Sequence, residues 1–431
     1  MLQDNHAINS AGHLTVAGVD TTVLAEKYGT PLYVMDEERL RRNMRRYADT
    51  VKKYFPEGSM PLLASKALSF KEIYRIADDE GIGADVVSAG ELYTALKAGF
   101  PASKLYFHGS AKTLREIRMG VEAGIACFVV DNFEELHRIS RVAGELGVTQ
   151  EILLRITPGI DPHTYEAVNT GRVDSKFGVA IETGQAFEIT KEALETPNVR
   201  LIGFHCHIGS QIFEAAPFLD AVDIMTNYIA DIRDRLGFTA EVLNLGGGIA
   251  VPYVFRDPVI DLDAYIRRIC EHLKERCGIL SLPVPKVLME PGRSIVADAG
   301  LTLYTVQNIK VIPGYKKYVA VDGGMTDNPR YALYGAEHTA VVANRADEPA
   351  DQIVTIAGRC CESDALIGEN MALQEARVDD IIAVLVTGAY NYSMASNYNR
   401  VPRAPVVMLR DGEDRIVVRR ETLDDIIAYD I

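Results

Sequence analysis

Lys66 follows the apolar run 61–65 in PLLASKALSF, and a primary amine placed there can hold a carbonyl cofactor covalently. A lone lysine at a strand end is ordinarily a solvated charge, so its meaning rests on what stands at comparable places along the chain. Asp85 and Ser88, His108, Arg155, the stretch HCHIGSQ from His205 to Gln211, the glycines Gly246, Gly247 and Gly248, and EPGR from Glu290 to Arg293 all stand where strand-like runs end and loops begin.

The glycine triplet has neither a GK[ST] ending nor a GxGxxG pattern, so it is not a nucleotide loop. Its bare amides can close on a phosphate monoester, and a tight turn is the alternative use. His205 and His207 are two apart and share a face if the strand runs that far, which would permit a metal pair. No HExxH or CxxC spacing supplies further ligands, and an imidazole at the strand end can instead stack on a flat heteroaromatic ring. Glu290 follows the apolar run 287–289, where a carboxylate is costly to bury without a partner such as a pyridinium nitrogen. Arg293 offers a planar fork for carboxylate or phosphate. An amine, a phosphate cradle, a stacking ring and a carboxylate for a ring nitrogen together describe a site for pyridoxal 5′-phosphate (PLP), with no metal.

Strands are needed to place these groups. Apolar runs at 61–65, 84–87, 104–107, 126–130, 151–156, 201–205, 241–245 and 286–289 make eight, separated mostly by helical patterns such as 91–98, 114–123 and 133–146. Strands alternating with helices give right-handed crossovers and a parallel sheet, and eight such units close a barrel whose βα loops carry the site. The pattern predicts an α/β fold with a (β/α)8 TIM-like barrel over residues 30–296. Residues 1–29 and 297–431 form the second domain. Runs at 301–312, 318–321, 352–357, 381–385, 406–409 and 415–418, with turn signals such as Asp411-Gly412, predict an antiparallel β-barrel or sandwich there, completed by the N-terminal strand.

A formal net charge of −15 argues against a broad nucleic-acid footprint, which needs clustered Lys and Arg. The stretch MLQDNHAINSAGHL lacks the basic flank and apolar core of a secretory signal, and the run 381–386 is far short of the roughly 20 residues a membrane helix needs. Cys127, Cys206, Cys270, Cys277, Cys360 and Cys361 are too few in so long a chain for a disulfide framework and read as reduced thiols in a cytoplasm.

In order along the chain, ASK (64–66), GADVVSAGEL (83–92), DSKFG (174–178), HCHIGSQ, LNLGGG (243–248), EPGR, CCES (360–363) and GAYNYSMASNYN (388–399) resemble the motifs of the diaminopimelate decarboxylases. These are PLP enzymes of the alanine-racemase-like fold group, and the resemblance runs over residues 19–422. It implies that Lys66 holds PLP as a Schiff base, that His207 stacks on its ring and that Glu290 pairs with the pyridine nitrogen. Ser210, Gly246, Gly247 and Gly248 would hold the phosphate, with Asp85, Gly292 and Arg293 in the same cofactor site and Tyr390 closing over it. Arg293, Arg330 and Tyr334 would grip the distal carboxylate of an amino-acid substrate, with Tyr390 and Glu362 also lining that site. Cys361 would return a proton to the α-carbon, a step that suits a thiol because its surroundings can tune its pKa. Cys361 and Glu362 would reach into the neighbouring subunit's site, which implies a homodimer with shared active sites.

The activity so implied is that of a cytoplasmic carboxy-lyase that converts meso-2,6-diaminopimelate to L-lysine and CO2, the last step of lysine biosynthesis. Three positions depart from the family pattern. Asp364 and Ala365 stand where Gly-Asp commonly follows the CES motif, Arg330 is followed by Tyr331 and not by proline, and His163-Thr164-Tyr165 replaces His-Thr-His. They bear on the substrate and not on the cofactor, and leave room for ornithine, lysine or a carrier-bound amino acid. A racemase of this fold would place an arginine where Glu290 stands. A non-catalytic regulator would have little reason to keep Lys66, Glu290 and Cys361 together.

Overall fold

The computed structural model describes residues 4–160 and 176–431, and the chain divides into two compact units. The first comprises Met44–Ala250 and Ile260–Gly292. Its strands Met60–Ala64, Gly83–Val86, Leu105–Phe107, Cys127–Val130, Gln150–Thr157, Val199–His205, Val242–Asn244 and Lys286–Met289 pair in parallel, each with the next, and the last returns to the first. This is the closed eight-stranded barrel expected, each strand within two residues of its apolar run. Leu62, Cys127, Val129, Leu153, Ile202, Val242 and Leu288, from six of the eight strands, pack into one buried cluster, so this part of the barrel is filled with side chains.

The barrel helices begin where the sequence supplies side-chain acceptors for orphan amides. Thr113 and Glu116 form a reciprocal capping box at the start of Leu114–Ala123, and Gly124 ends that helix in the left-handed conformation. Ser88, one of the candidate site residues, is such a cap: its hydroxyl accepts from Glu91 N at 3.2 Å and starts the helix Ala89–Ala98.

The second unit comprises Met1–Asn43, Val251–Val259 and Arg293–Ile431. Its main sheet runs Leu366–Leu373, Gln352–Ala357, Lys316–Val321, Gly300–Ile312, Leu32–Asp36, Val406–Arg410, Glu413–Val418. Ile381–Leu385 joins on Gly300–Ile312 and carries Ala340–Val342 on its other edge. The sheet is mixed, which corrects the antiparallel expectation: Lys316–Val321 pairs in parallel with Gln352–Ala357, and Leu32–Asp36 with Val406–Arg410. Leu32–Asp36 falls within the barrel's expected range of 30–296, yet it lies between two strands of this sheet, which is why all five of its residues are buried. The compact units divide at 43/44 and 292/293. Among the described residues no helix is long and apolar enough to cross a membrane.

Candidate active site

The strand Met60–Ala64 gives way to a single turn of 3-10 helix, Ser65–Ala67, which carries Lys66. Ser65 and Ala67 are buried and the Lys66 side chain is exposed, so the turn projects an amine from a fixed base. The EPGR segment packs beneath it. Ala64 N donates to Pro291 O at 3.2 Å, and a Cβ on Gly292 would stand 2.9 Å from Ala64 Cβ. Gly292 is thus a close-approach glycine that seats the lysine turn.

Glu290 follows the strand Lys286–Met289 and is buried among donors. Asn244 Nδ2 donates to its Oε1 at 2.7 Å, His108 Nε2 lies 2.9 Å from the same oxygen, and His205 Nε2 lies 3.4 Å from Oε2. Burial alone would raise this carboxyl, but His108 and His205 outweigh it and hold the group well below the usual carboxylate range. Glu290 is therefore an ionised, fixed acceptor. Asp85, on Gly83–Val86, has the opposite balance: burial raises its carboxyl despite the neighbouring His108, and its Oδ1 is buried with no partner among the described residues. Arg155, on Gln150–Thr157, is also buried and lies 4.4 Å from the centroid of the Phe177 ring.

The glycine triplet is dictated by close backbone approach. A Cβ on Gly247 would stand 2.0 Å from Glu290 O, and one on Gly248 2.4 Å from Gly209 O; Gly246 and Gly248 also have φ of +68° and +123°. Gly246 N donates to Asn244 Oδ1 at 2.9 Å and Gly247 N to His207 Nδ1 at 3.3 Å. Two of the three amides expected to close on a phosphate thus have partners within the chain. His207 is held by one edge through Nδ1, and desolvation, then the nearby Lys66 and Arg155, keep it well below the usual imidazole range, so the ring is neutral. The histidines are grouped differently from the pair considered from sequence: His205 turns to His108 and Glu290, and His207 to the glycine turn. Ligand atoms of His108, His205 and Glu290 lie within 4.8 Å of one another, a spacing also open to a cation.

These residues fit PLP on structural grounds. The amine of Lys66, the ionised Glu290 and a ring of His207 anchored at its edge match the cofactor's aldehyde, ring nitrogen and ring face. Asp85 Oδ1 and His205 Nδ1 are buried without partners among the described residues, as polar atoms are when a site is built for a further polar group. Asn244, which links Glu290 to the glycine turn, was not singled out from the sequence; the available signal was an amide in the otherwise apolar run before Gly246.

A second group of side chains lies in the other unit. Arg293 Nη1 donates to the Tyr253 hydroxyl at 2.8 Å, and its guanidinium lies 4.8 Å from the Tyr390 ring centroid. The Arg330 guanidinium lies 5.6 to 5.8 Å from the ring centroids of Tyr390, Tyr253 and Tyr334. Both arginines are buried, at 6% and 7% exposure, and Arg330 forms no ion pair among the described residues while its Nε has no hydrogen-bond partner. His338 packs edge-on to Tyr253 at 5.3 Å; burial, then Arg330, lower it to about 3, so it adds no charge. A buried guanidinium with no ion pair among the described residues, such as that of Arg330, is costly to desolvate. Tyr390 is held at φ +60°, a conformation a bulky residue rarely adopts. Tyr253 and His338 were missed from sequence, because neither stands in a recognisable motif.

Cys361 and Glu362 are not in that group. They lie on an exposed turn, where Asn399 Oδ1 accepts from Cys361 N at 3.0 Å and the Tyr398 hydroxyl donates to Glu362. Asp364 is on the same exposed turn, and Tyr331 donates its hydroxyl to Glu369 at 2.8 Å. His163, Thr164, Tyr165 and the first two residues of DSKFG lie outside the described residues.

A closed parallel barrel that carries an amine, an ionised carboxylate and a neutral edge-held imidazole in one cluster defines an enzyme of the PLP-dependent class. Residues 38–297 match the family model described as pyridoxal-dependent decarboxylase, pyridoxal binding domain. The chain is 45% identical over 426 residues to the diaminopimelate decarboxylase of Bacillus subtilis, covering 98% of this chain and 96% of that protein. It is 46% identical over 414 residues to that of Bacillus methanolicus, covering 96% of each. The crystal structure of diaminopimelate decarboxylase from M. jannaschii in complex with L-lysine matches with a TM-score of 0.91 at 37% identity, over 99% of this chain and 98% of that one. The chain belongs to the diaminopimelate decarboxylase family.

Proposed function

We propose that this chain is a carboxy-lyase that removes CO2 from meso-2,6-diaminopimelate to give L-lysine, the last step of lysine biosynthesis, with PLP as its cofactor. The carrying observation is the pair of buried arginines, Arg293 and Arg330, set among tyrosines with no acidic partner for Arg330. Diaminopimelate differs from ornithine and lysine in having a second carboxylate, and a buried guanidinium is suited to bind it.

PLP, when bound, supplies an electron sink for the pair left behind as CO2 departs. Lys66 holds the cofactor covalently. Glu290, kept anionic, holds a proton on the cofactor's ring nitrogen, which a racemase of this fold does not need. His207, its Nδ1 held by Gly247 N, would stack on the ring. Gly248 and Ser210 hold the phosphate, because the Gly246 and Gly247 amides are engaged elsewhere. Arg293, Arg330 and Tyr334 take the distal carboxylate, and Tyr390 closes over the cofactor.

Cys361 returns the proton to the α-carbon. Its exposure, with that of Glu362, suits residues offered to a second copy of the chain, so the working form is a homodimer with shared active sites, in the cytoplasm. The test is CO2 release by the PLP-loaded protein from meso-diaminopimelate, L- and D-lysine, L- and D-ornithine, and glutamate. Release from diaminopimelate alone, with lysine formed, is the expected result; release only from ornithine or lysine would overturn the substrate, and silence across the panel would overturn the enzyme.

A further inference from the structure

His108, His205 and Glu290 come from the ends of three different strands and meet inside the barrel, at 4%, 1% and 7% exposure. The two imidazole rings touch edge to face, 4.9 Å between centroids at 74°. Each turns its Nε2 to a different oxygen of Glu290, at 2.9 and 3.4 Å, while Asn244 occupies a further lone pair of Oε1 at 2.7 Å. A carboxylate has about four lone-pair positions. Asn244 and His205 take two of them by hydrogen bonds, while His108 Nε2, although 2.9 Å from Oε1, has no hydrogen-bond partner among the described residues, so room is left for a further donor.

We propose that His205, against which His108 packs edge to face, is a positioning residue that donates Nε2–H to Glu290 and so fixes both its charge and the direction of a remaining lone pair toward the cofactor's ring nitrogen. This rests on the PLP reading above. The physical reason is proton partition. Where a carboxylate and a ring nitrogen share one proton in a buried site, burial favours the neutral pair with the proton on the carboxyl. Donors to the carboxylate stabilise its anion, lower its proton affinity and leave the proton on nitrogen. The donors must themselves be neutral, since an imidazolium would cancel the negative charge on which the pyridinium depends. Burial holds His205 at about 4 and neutral, and the Glu290 oxygen in front of its Nε2 selects the tautomer that carries hydrogen there. Asp85, Lys66, Arg155, Cys206 and His207 are the other ionisable groups acting on this cluster, and none is interposed between His205 and Glu290 in the contacts described.

Two measurements test the proposal, and the first does not depend on the cofactor. In PLP-free protein labelled with ¹⁵N-histidine, long-range ¹H–¹⁵N spectra near pH 7, assigned with His205→Gln, should show the His205 ring neutral and protonated at Nε2. A proton on its Nδ1 alone would overturn the proposal, because the ring would then present a lone pair to a carboxylate. In the second, PLP carrying ¹⁵N in its ring is bound to wild type, His205→Phe and His205→Gln. The wild-type nitrogen should resonate as pyridinium. His205→Phe should lower the ratio of protonated to neutral nitrogen by about tenfold, the worth of one charge-assisted hydrogen bond, and Gln should recover part of it. An unchanged nitrogen shift in His205→Phe would overturn the proposal. If His205→Phe does not fold, the tautomer of the unaltered protein decides; if wild type binds no PLP, the functional reading fails while the tautomer result still stands or falls separately.

Discussion

Arg330→Met separates a substrate-binding guanidinium from a structural one. Arg330 is 7% exposed, makes no ion pair among the described residues, and is compensated by the faces of Tyr253, Tyr334 and Tyr390 at 5.6 to 5.8 Å. Each such face is worth about 0.5–2 kcal/mol, against a desolvation penalty of several kcal/mol for the buried cation. Methionine fills similar length without the charge, so the variant should be at least as stable as wild type, by up to about 1 kcal/mol. Binding should behave in the opposite way. Truncating one partner of a buried charge pair costs about 2–5 kcal/mol, and with Arg293 still present the lower end applies, about 2–3 kcal/mol, or roughly 30- to 150-fold in kcat/KM. The loss should appear in KM for diaminopimelate, because the distal carboxylate is as charged in the ground state as in the transition state. Thermal melting and CO2 release against substrate concentration measure the two sides. An unchanged KM, or a melting temperature lowered by several degrees, would refute the reasoning, since the guanidinium would then serve the fold.

Lys66→Ala should abolish the visible absorbance of bound PLP while circular dichroism stays that of wild type; retention of the band would move the covalent anchor elsewhere. Gly247→Ala should lower PLP content and melting temperature together, because its Cβ would stand 2.0 Å from Glu290 O, and backbone cannot yield as a side chain can; full PLP occupancy would contradict this. Lys112 donates to Glu135 and Val129 O in buried bonds of 2.6 and 2.8 Å and to the half-buried Gly109 O at 2.9 Å, so Lys112→Met should destabilise the barrel by about 3–5 kcal/mol, and adding Glu135→Gln should restore part of it. Glu37 is buried and bonded to Arg41, Arg410 and Arg415; burial opposes its ionisation, but Arg41 and Arg415 lower it below its ordinary value. Its contribution is therefore present above the unfolded carboxylate value and lost as pH falls through the lower folded one. The melting-temperature gap between wild type and Glu37→Gln should be full at pH 7 and close on acidification below about 4.

The barrel was legible because parallel strands covered on both faces read as short continuous apolar runs between amphipathic helices. The second unit was legible strand by strand but not in its pairing. Leu366–Leu373 escaped because Gly368, Glu369 and Asn370 interrupt its pattern, and its ladder to Gln352–Ala357 shifts register beside them. The parallel pairs there join strands distant in sequence, which no local pattern records. The site was readable where chemistry and motif coincide, at Lys66, Glu290 and the glycines. It was not readable where role depends on spatial neighbours: His108 stands 182 residues from Glu290, and Tyr253 40 from Arg293. The glycine triplet shows the limit from the other side, since close packing against Glu290 and Gly209 requires glycine there before any phosphate is considered.

The place of Leu32–Asp36 in its sheet sets the order in which a growing chain can become a protein. Met35 lies beside Gly300 and Asp36 beside Leu409, so this strand leaves the ribosome about 265 residues ahead of its first neighbour and still further ahead of its second. At roughly 5–20 residues per second, it waits on the order of 13–53 seconds with an apolar surface and unpaired edges exposed. The barrel, whose segments all lie between residues 44 and 292, can close within that interval. A nascent chain halted near residue 292 would therefore carry a formed barrel and a sticky, unpaired leader, and that leader is where a chaperone should be found.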